Sequence, residues 1–242
     1  MVSNMYVQVE QAALAPFYLV FDVSGSMADE MEALNQALRD LKNEMLRSPI
    51  LADIARVSLI SFSDSAKVVI PMMDLAQDTR IGRDDVLQVE GLTSYKAAFR
   101  TLKEQIRRDI PALKRESGGA VYRPMVFFVT DGYPTDADVE WKSAFQELIA
   151  AQPFPNVIPF GFGDANGDIL KDITYPKKRG ESFYFIARQG LGRAEAMAAI
   201  AKIVVQSVVS STQSAADGMP RVSLEKAGTE HVLQQAPAWD MV

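Results

Sequence analysis

The sequence predicts an α/β domain with a doubly wound, mostly parallel central sheet, one antiparallel edge strand and helices on both faces. Three observations lead there. Apolar, strand-like runs alternate with helix-periodic stretches along most of the 242 residues, the pattern of a sheet covered by helices on either side. Two of the runs, Phe17–Phe21 and Met125–Val129, are apolar throughout, as strands buried on both faces of a parallel sheet are. Val57–Phe62 and Ala66–Met72 are joined only by Ser63-Asp64-Ser65, a link long enough for a hairpin and too short for a crossover.

The elements follow in order. The first strand, Phe17–Phe21, ends at Asp22, with Ser24 and Ser26 at alternate positions before a helix. Met27, Met31, Leu34, Leu38, Leu41 and Met45 then recur at steps of three and four, one face of a helix that Pro49 closes. The hairpin strands come next, and Pro71 suits the second of them to the sheet edge. A loop leads to Gly91-Leu92-Thr93-Ser94, after which Tyr95, Phe99, Leu102, Ile106 and Ile110 mark a helix. Arg100, Lys103, Glu104, Arg107, Arg108 and Asp109 read as its solvated, charged face. Pro124 opens Met125–Val129, which runs into Thr130-Asp131-Gly132. A helix is expected over Asp138–Ala151 with Trp141, Phe145 and Leu148 inward. Strands are expected at Val157–Phe162 and Ser182–Ile186. Met197, Ile200, Ala201, Val204 and Val208 line the last helix. The expected organisation is an N-terminal extension over 1–15, one domain over 16–212 and a polar, flexible tail over 213–242.

Composition narrows the function. A net charge of -6 argues against a nucleic-acid partner, which needs a basic face. No apolar run is expected to reach the length of a membrane span. The chain has no cysteine, so disulfides and thiolate metal sites are excluded, and a reducing, cytoplasmic location fits. The given sequence has no Lys or Arg before Arg39, so no secretory signal with a basic leading region is expected in it. The one histidine, His231, falls in the tail, so the core has no Ser-His or Cys-His nucleophile pair.

In a doubly wound sheet ligands bind outside the carboxyl ends of the strands. The ends of Phe17–Phe21 and Met125–Val129 would share one crevice there, so Asp22, Ser24, Ser26 and Asp131 should converge, with Thr93 able to add a third hydroxyl. These are hard oxygen donors of the kind Mg²⁺ accepts. The competing reading is that Asp22 and the serines cap the following helix. Other candidates are weaker. Asp164-Ala165-Asn166-Gly167-Asp168 starts like a calcium loop, but the sixth and twelfth positions hold Ile169 and Tyr175 instead of Gly and Glu, so it reads as a solvated turn. Gly161-Phe162-Gly163 with Gly167 misses the dinucleotide spacing by one residue. Lys177-Lys178-Arg179 reads as a solvated loop.

The combination Asp22-Val23-Ser24-Gly25-Ser26, Thr93 in a second loop and Asp131 in a third resembles the von Willebrand factor A (vWA) domain with its metal-ion-dependent adhesion site, over about residues 16–210. Arg123–Asp136 and Asn156–Gly163 look like the TerY-like bacterial members, associated with tellurite resistance. The resemblance implies a Rossmann-like vWA fold and a non-enzymatic protein-interaction module. Ser24, Ser26 and Thr93 would bind Mg²⁺ (Mn²⁺ or Ca²⁺ as alternates) directly, and Asp22 and Asp131 largely through water. A partner protein would supply an Asp or Glu carboxylate to an ion that neutral hydroxyls leave electron-poor. It also implies neighbours among kinases, phosphatases or tellurite-stress proteins; charge and hydropathy, as above, leave no nucleic-acid or membrane partner expected. Two alternatives stay open: an aspartate-nucleophile, phosphatase-like Mg²⁺ hydrolase, although Ser24 stands where that chemistry needs a second carboxylate, and a structural domain with a vestigial metal site.

Overall fold

A computed structural model describes residues 13–82, 86–177, 182–188, 190–217 and 232–237. Its centre is a sheet of β1 (Ala15–Asp22), β2 (Ala55–Phe62), β3 (Ala66–Met73), β4 (Met125–Thr130), β5 (Asn156–Gly161), β6 (Phe183–Ala187) and β7 (Leu233–Pro237), in the order β3-β2-β1-β4-β5-β6-β7. Strands β2, β1, β4, β5 and β6 run parallel to one another. β3 and β7 pair antiparallel at the two edges. The strand order reverses at β1, which lies between β2 and β4, so the topological switch point falls at the carboxyl ends of β1 and β4.

Every residue of β1 and β4 is buried, which is why both read as unbroken apolar runs. On one face, α1 (Met31–Arg47), α2 (Pro49–Ile54) and α6 (Arg193–Ala216) pack on Phe17, Leu19, Phe21, Phe127 and Val129. On the other, α3 (Tyr95–Glu116), α4 (Asp138–Ala150) and the short α5 (Gly167–Asp172) pack on Tyr18, Val20, Val126 and Phe128. The alternation of strand residues between two apolar layers is the pleat at work. The expected fold class is the one observed.

Several expectations need correction. Pro49 does not merely close α1: it is the first residue of α2, whose N-cap Ser48 accepts a bond from the Leu51 amide (3.5 Å). A proline there forfeits no helical bond, because the first amides of a helix have no partner anyway. The polar segment Asp164–Asp168 holds the start of α5, capped by the Asn166 side chain through the amides of Asp168 (2.8 Å) and Ile169 (3.2 Å). Asp109 is not on a solvated face. It is buried, takes the Tyr18 hydroxyl (3.0 Å) and the Gln105 amide (2.8 Å), and its carboxyl is pushed up from the usual range chiefly by desolvation. Residues 213–216 complete α6 and 233–237 form β7, so these parts of the expected tail carry regular structure. His231, Lys178 and Arg179 lie outside the described residues.

α6 is the exception to the expectation that nothing reaches a membrane span. It is 24 residues long with a mean hydropathy of 1.3 over its most apolar window, half of which is buried inside the domain. That burial against α1, α2 and the sheet accounts for its composition.

Candidate metal centre

Asp22 closes β1 with no exposed surface. Its Oδ1 accepts the Ser24 amide (2.9 Å) and its Oδ2 accepts the Thr130 hydroxyl from the end of β4 (2.8 Å). Burial, aided by the charge of Asp131, pushes the carboxyl up to about 6, against the opposing bonds from Ser24 and Thr130. Ser24 begins the 3₁₀ turn Gly25–Glu30, yet its hydroxyl caps nothing. It pairs instead with the Ser26 hydroxyl (3.2 Å), and Ser26 donates to Asp131 Oδ1 (2.9 Å). Helix capping is therefore not the role these serines have. Asp131 stands just past β4 and is 1% exposed, whereas Ser26 is exposed at the mouth.

Thr93 reaches the same place by way of its loop. The Gly25 amide bonds to Gly91 O (3.0 Å), the Glu90 amide to Val23 O (2.7 Å) and the Leu92 amide to Asp64 Oδ1 (3.0 Å). Gly91 has a φ of +43°, and a Cβ there would sit 2.0 Å from Asp64 Oδ2, so the stitch requires glycine. Thr93 O accepts the Thr135 amide (2.8 Å) and hydroxyl (3.0 Å). Its own side-chain hydroxyl takes no part in these bonds. Side-chain bonds thus join Asp22, Ser24, Ser26 and Asp131, and backbone bonds bring Thr93 alongside. Ser94 caps α3 through the Ala97 amide (3.1 Å) while donating to Asp136 Oδ1 (2.9 Å), whose Oδ2 takes the Lys96 amide (2.8 Å). Asp136 therefore locks this loop to the one after β4.

Two residues entered without warning from the sequence. Arg193, the first residue of α6, bonds to Glu30 Oε1 through Nε (2.9 Å), to Ser26 O through Nη2 (2.9 Å) and to Asp131 Oδ2. Its guanidinium lies 5.4 Å from the centroid of the Phe162 ring. Glu30 is 1% exposed, and its Oε2 is buried with no hydrogen-bond partner. Contacts spanning 163 and 62 residues leave no local periodic trace.

Among the described residues no group of three or more His, Cys, Asp or Glu side chains forms a cation cage. A metal here would have to be held by hydroxyls and one or two carboxylates, a hard-oxygen set that suits Mg²⁺. A cavity of about 880 Å³ between α1 and α6, floored by Ala37, Ala201 and Val205, includes none of these donors.

The burial of Asp22 has a pH consequence. Its folded-state value is raised, so its contribution to stability is full below the ordinary carboxylate value of 3.8 and is lost as pH rises through about 6. A metal needs the opposite, charged form. Mg²⁺ affinity measured by calorimetry is expected to fall about tenfold per pH unit below 6, the limit for one competing proton. An affinity that stays flat between pH 7.5 and 5 would exclude a role for the Asp22 charge.

Residues 17–133 match the family described as von Willebrand factor type A domain. No curated protein sequence matches significantly. Among solved structures, the chain is similar to a von Willebrand factor type A protein from Catenulispora acidiphila (TM-score 0.57, 16% identity, covering 81% of this chain and 43% of that one). It is also similar to the pilus adhesin SpaC from Lactobacillus rhamnosus GG (TM-score 0.59, 15% identity, 82% and 30%). A third is proximal thread matrix protein 1 from the mussel byssus, solved with a zinc-occupied MIDAS motif (TM-score 0.53, 16% identity, 83% and 49%). The chain spans less than half the length of each of these three. At such identities the likeness establishes the fold.

Proposed function

From the match of residues 17–133 to the von Willebrand factor type A domain family, we propose that the crevice is a metal-ion-dependent adhesion site through which the protein binds a partner's Asp or Glu carboxylate. The observation that carries the reading is the run of bonds from Ser24 Oγ through Ser26 Oγ to Asp131 Oδ1, made by serines that do not cap the helix beside them. Ser24, Ser26 and Thr93 would hold Mg²⁺ directly, with Mn²⁺ or Ca²⁺ as alternates, and Asp22 and Asp131 would act mainly through water. The bound ion would supply an electrophilic centre with a preference for an anionic ligand. The protein's part is to present neutral hydroxyls and to keep Asp22 and Asp131 buried behind them.

The role is binding and not hydrolysis. An aspartate nucleophile needs an oxygen open to in-line attack, and Asp22 is fully buried with Ser24 and Thr130 each holding one of its oxygens. Position 24, where a general acid would stand, is a serine. The metal reading rests on this chain's own donors, since the zinc-bearing mussel protein is too distant to carry more than the fold. A cytoplasmic setting and a TerY-like place beside tellurite-stress or kinase and phosphatase proteins complete the proposal.

The deciding experiment is a pull-down from native lysate with Mg²⁺ or with EDTA, using the wild type and Thr93→Ala. A partner lost with EDTA and with Thr93→Ala supports the reading. Capture indifferent to both would place the interface elsewhere.

A further inference from the structure

The guanidinium of Arg193 lies against the same carboxylate that a divalent cation in the crevice would draw on. Asp131 has two oxygens. One accepts Ser26 and the other is bonded to Arg193. Glu30, which no part of the adhesion motif includes, gives Arg193 a second anchor through Oε1 and keeps Oε2 buried and without a partner. Two buried acids are thus answered by one basic side chain, and a buried acceptor oxygen is left over. Uncompensated buried carboxylate is costly, so this pair keeps a standing demand for positive charge.

We propose that Arg193 is a tethered counter-ion of the crevice, competing with the divalent cation for Asp131, with Glu30 as the site to which the guanidinium retreats. This rests on the metal reading given above. A dication placed beside Ser24 and Ser26 repels the guanidinium, and in a partly desolvated crevice that repulsion is poorly screened. Glu30 Oε2 offers a second acceptor on the same carboxylate, so Arg193 can give up Asp131 and bind Glu30 through both oxygens, the forked geometry that guanidinium and carboxylate favour. Glu30 is then a positioning residue: it acts on the ion through Arg193. Because Arg193 is the first residue of α6 and also bonds to Ser26 O, the exchange alters how the first turn of α6 is held. Phe162 beneath the guanidinium and Gly163 beside it confine the movement. A Cβ on Gly163 would come 2.3 Å from Arg193 Nη1.

The test is Mg²⁺ titration calorimetry on the wild type, Arg193→Gln and Arg193→Lys. Arg193→Gln removes the competing charge and should bind at least tenfold more tightly. Arg193→Lys keeps the charge and should stay within about threefold of the wild type. A merely structural tie would lower the melting temperature of both variants without tightening the metal. In the wild type, nitrogen resonances of the Arg193 guanidinium should move on addition of Mg²⁺, which needs no variant to fold. Tighter binding by Arg193→Gln supports the proposal, including the case in which only that variant binds. Equal or weaker binding by Arg193→Gln, or guanidinium resonances indifferent to Mg²⁺, overturns it and leaves the metal reading standing. If neither protein binds Mg²⁺, both fall.

Discussion

Mg²⁺ at one hundred times its dissociation constant is expected to raise the melting temperature of the wild type by about 5–10 °C, and that of Asp131→Ala not at all. A ligand at that excess which binds only the native state stabilises by about 2.7 kcal/mol, and a domain of this size gains about 2–4 °C per kcal/mol. Asp131 is the point on which the response turns. It is 1% exposed and anchors the Ser26 hydroxyl, tying the turn after β1 to the end of β4. Without it the remaining carboxylate among the proposed ligands is Asp22, fully buried, with its two oxygens already held by the Ser24 amide and the Thr130 hydroxyl. The variant itself should fold. Asp131 lies beyond the end of β4, and Arg193, 36% exposed, retains Glu30 and solvent. Scanning calorimetry in EDTA and in Mg²⁺ measures both quantities. A shift that survives Asp131→Ala would remove this residue from the site.

Phe128→Ala is expected to destabilise the protein by about 4 kcal/mol, within the usual range for deleting a fully buried aromatic ring. Phe128 has no exposed surface and lies at the middle of an aromatic cluster, 4.9 Å from Phe62, 5.0 Å from Tyr95 and 5.4 Å from Phe99 between ring centroids. Strands β2 and β4 and helix α3 meet there, so the hole cannot close by moving one element alone. Against a typical total of about 5–15 kcal/mol the loss is a large share. The urea midpoint should fall by more than 1 M with an unchanged slope, taking the slope as about 1–3 kcal/mol per molar. Val139→Ala, on a residue 75% exposed, should change stability by less than about 0.5 kcal/mol. Similar midpoints for the two variants would show that the aromatic cluster is not where the core is held. The same cluster bears on the site, because Tyr95 places its hydroxyl 3.2 Å from Thr130 Oγ1, which in turn donates to Asp22.

What the residues announced locally, the fold kept. Phe17–Phe21 and Met125–Val129 are apolar because they are covered on both faces, and burial on both faces is the signature of inner parallel strands. Two such strands side by side at a switch point place their following residues in one crevice, so Asp22, Ser24, Ser26 and Asp131 could be brought together on paper. Thr93 needed more, since its position depends on backbone bonds from Gly25, Glu90 and Leu92 and on the φ of Gly91.

The tertiary structure decided the rest. Asp109 follows the charged pattern of α3, and only the approach of Tyr18 from the neighbouring strand buries it. β7 has no apolar alternation to betray it, because it joins β6 through backbone bonds and carries Gln234 and Gln235. Arg193 and Glu30 look like ordinary helix charges until 163 residues of chain fold them together. The physical reason is the same in each case. Periodicity records whether a residue meets water or core, which depends on its own element. It carries nothing about which distant side chain will satisfy a buried charge, because that depends on packing between elements. The sequence alone determined the inner strands, the long helices and the oxygen donors at the switch point; only the packed structure decided that a guanidinium from the last long helix would stand among them.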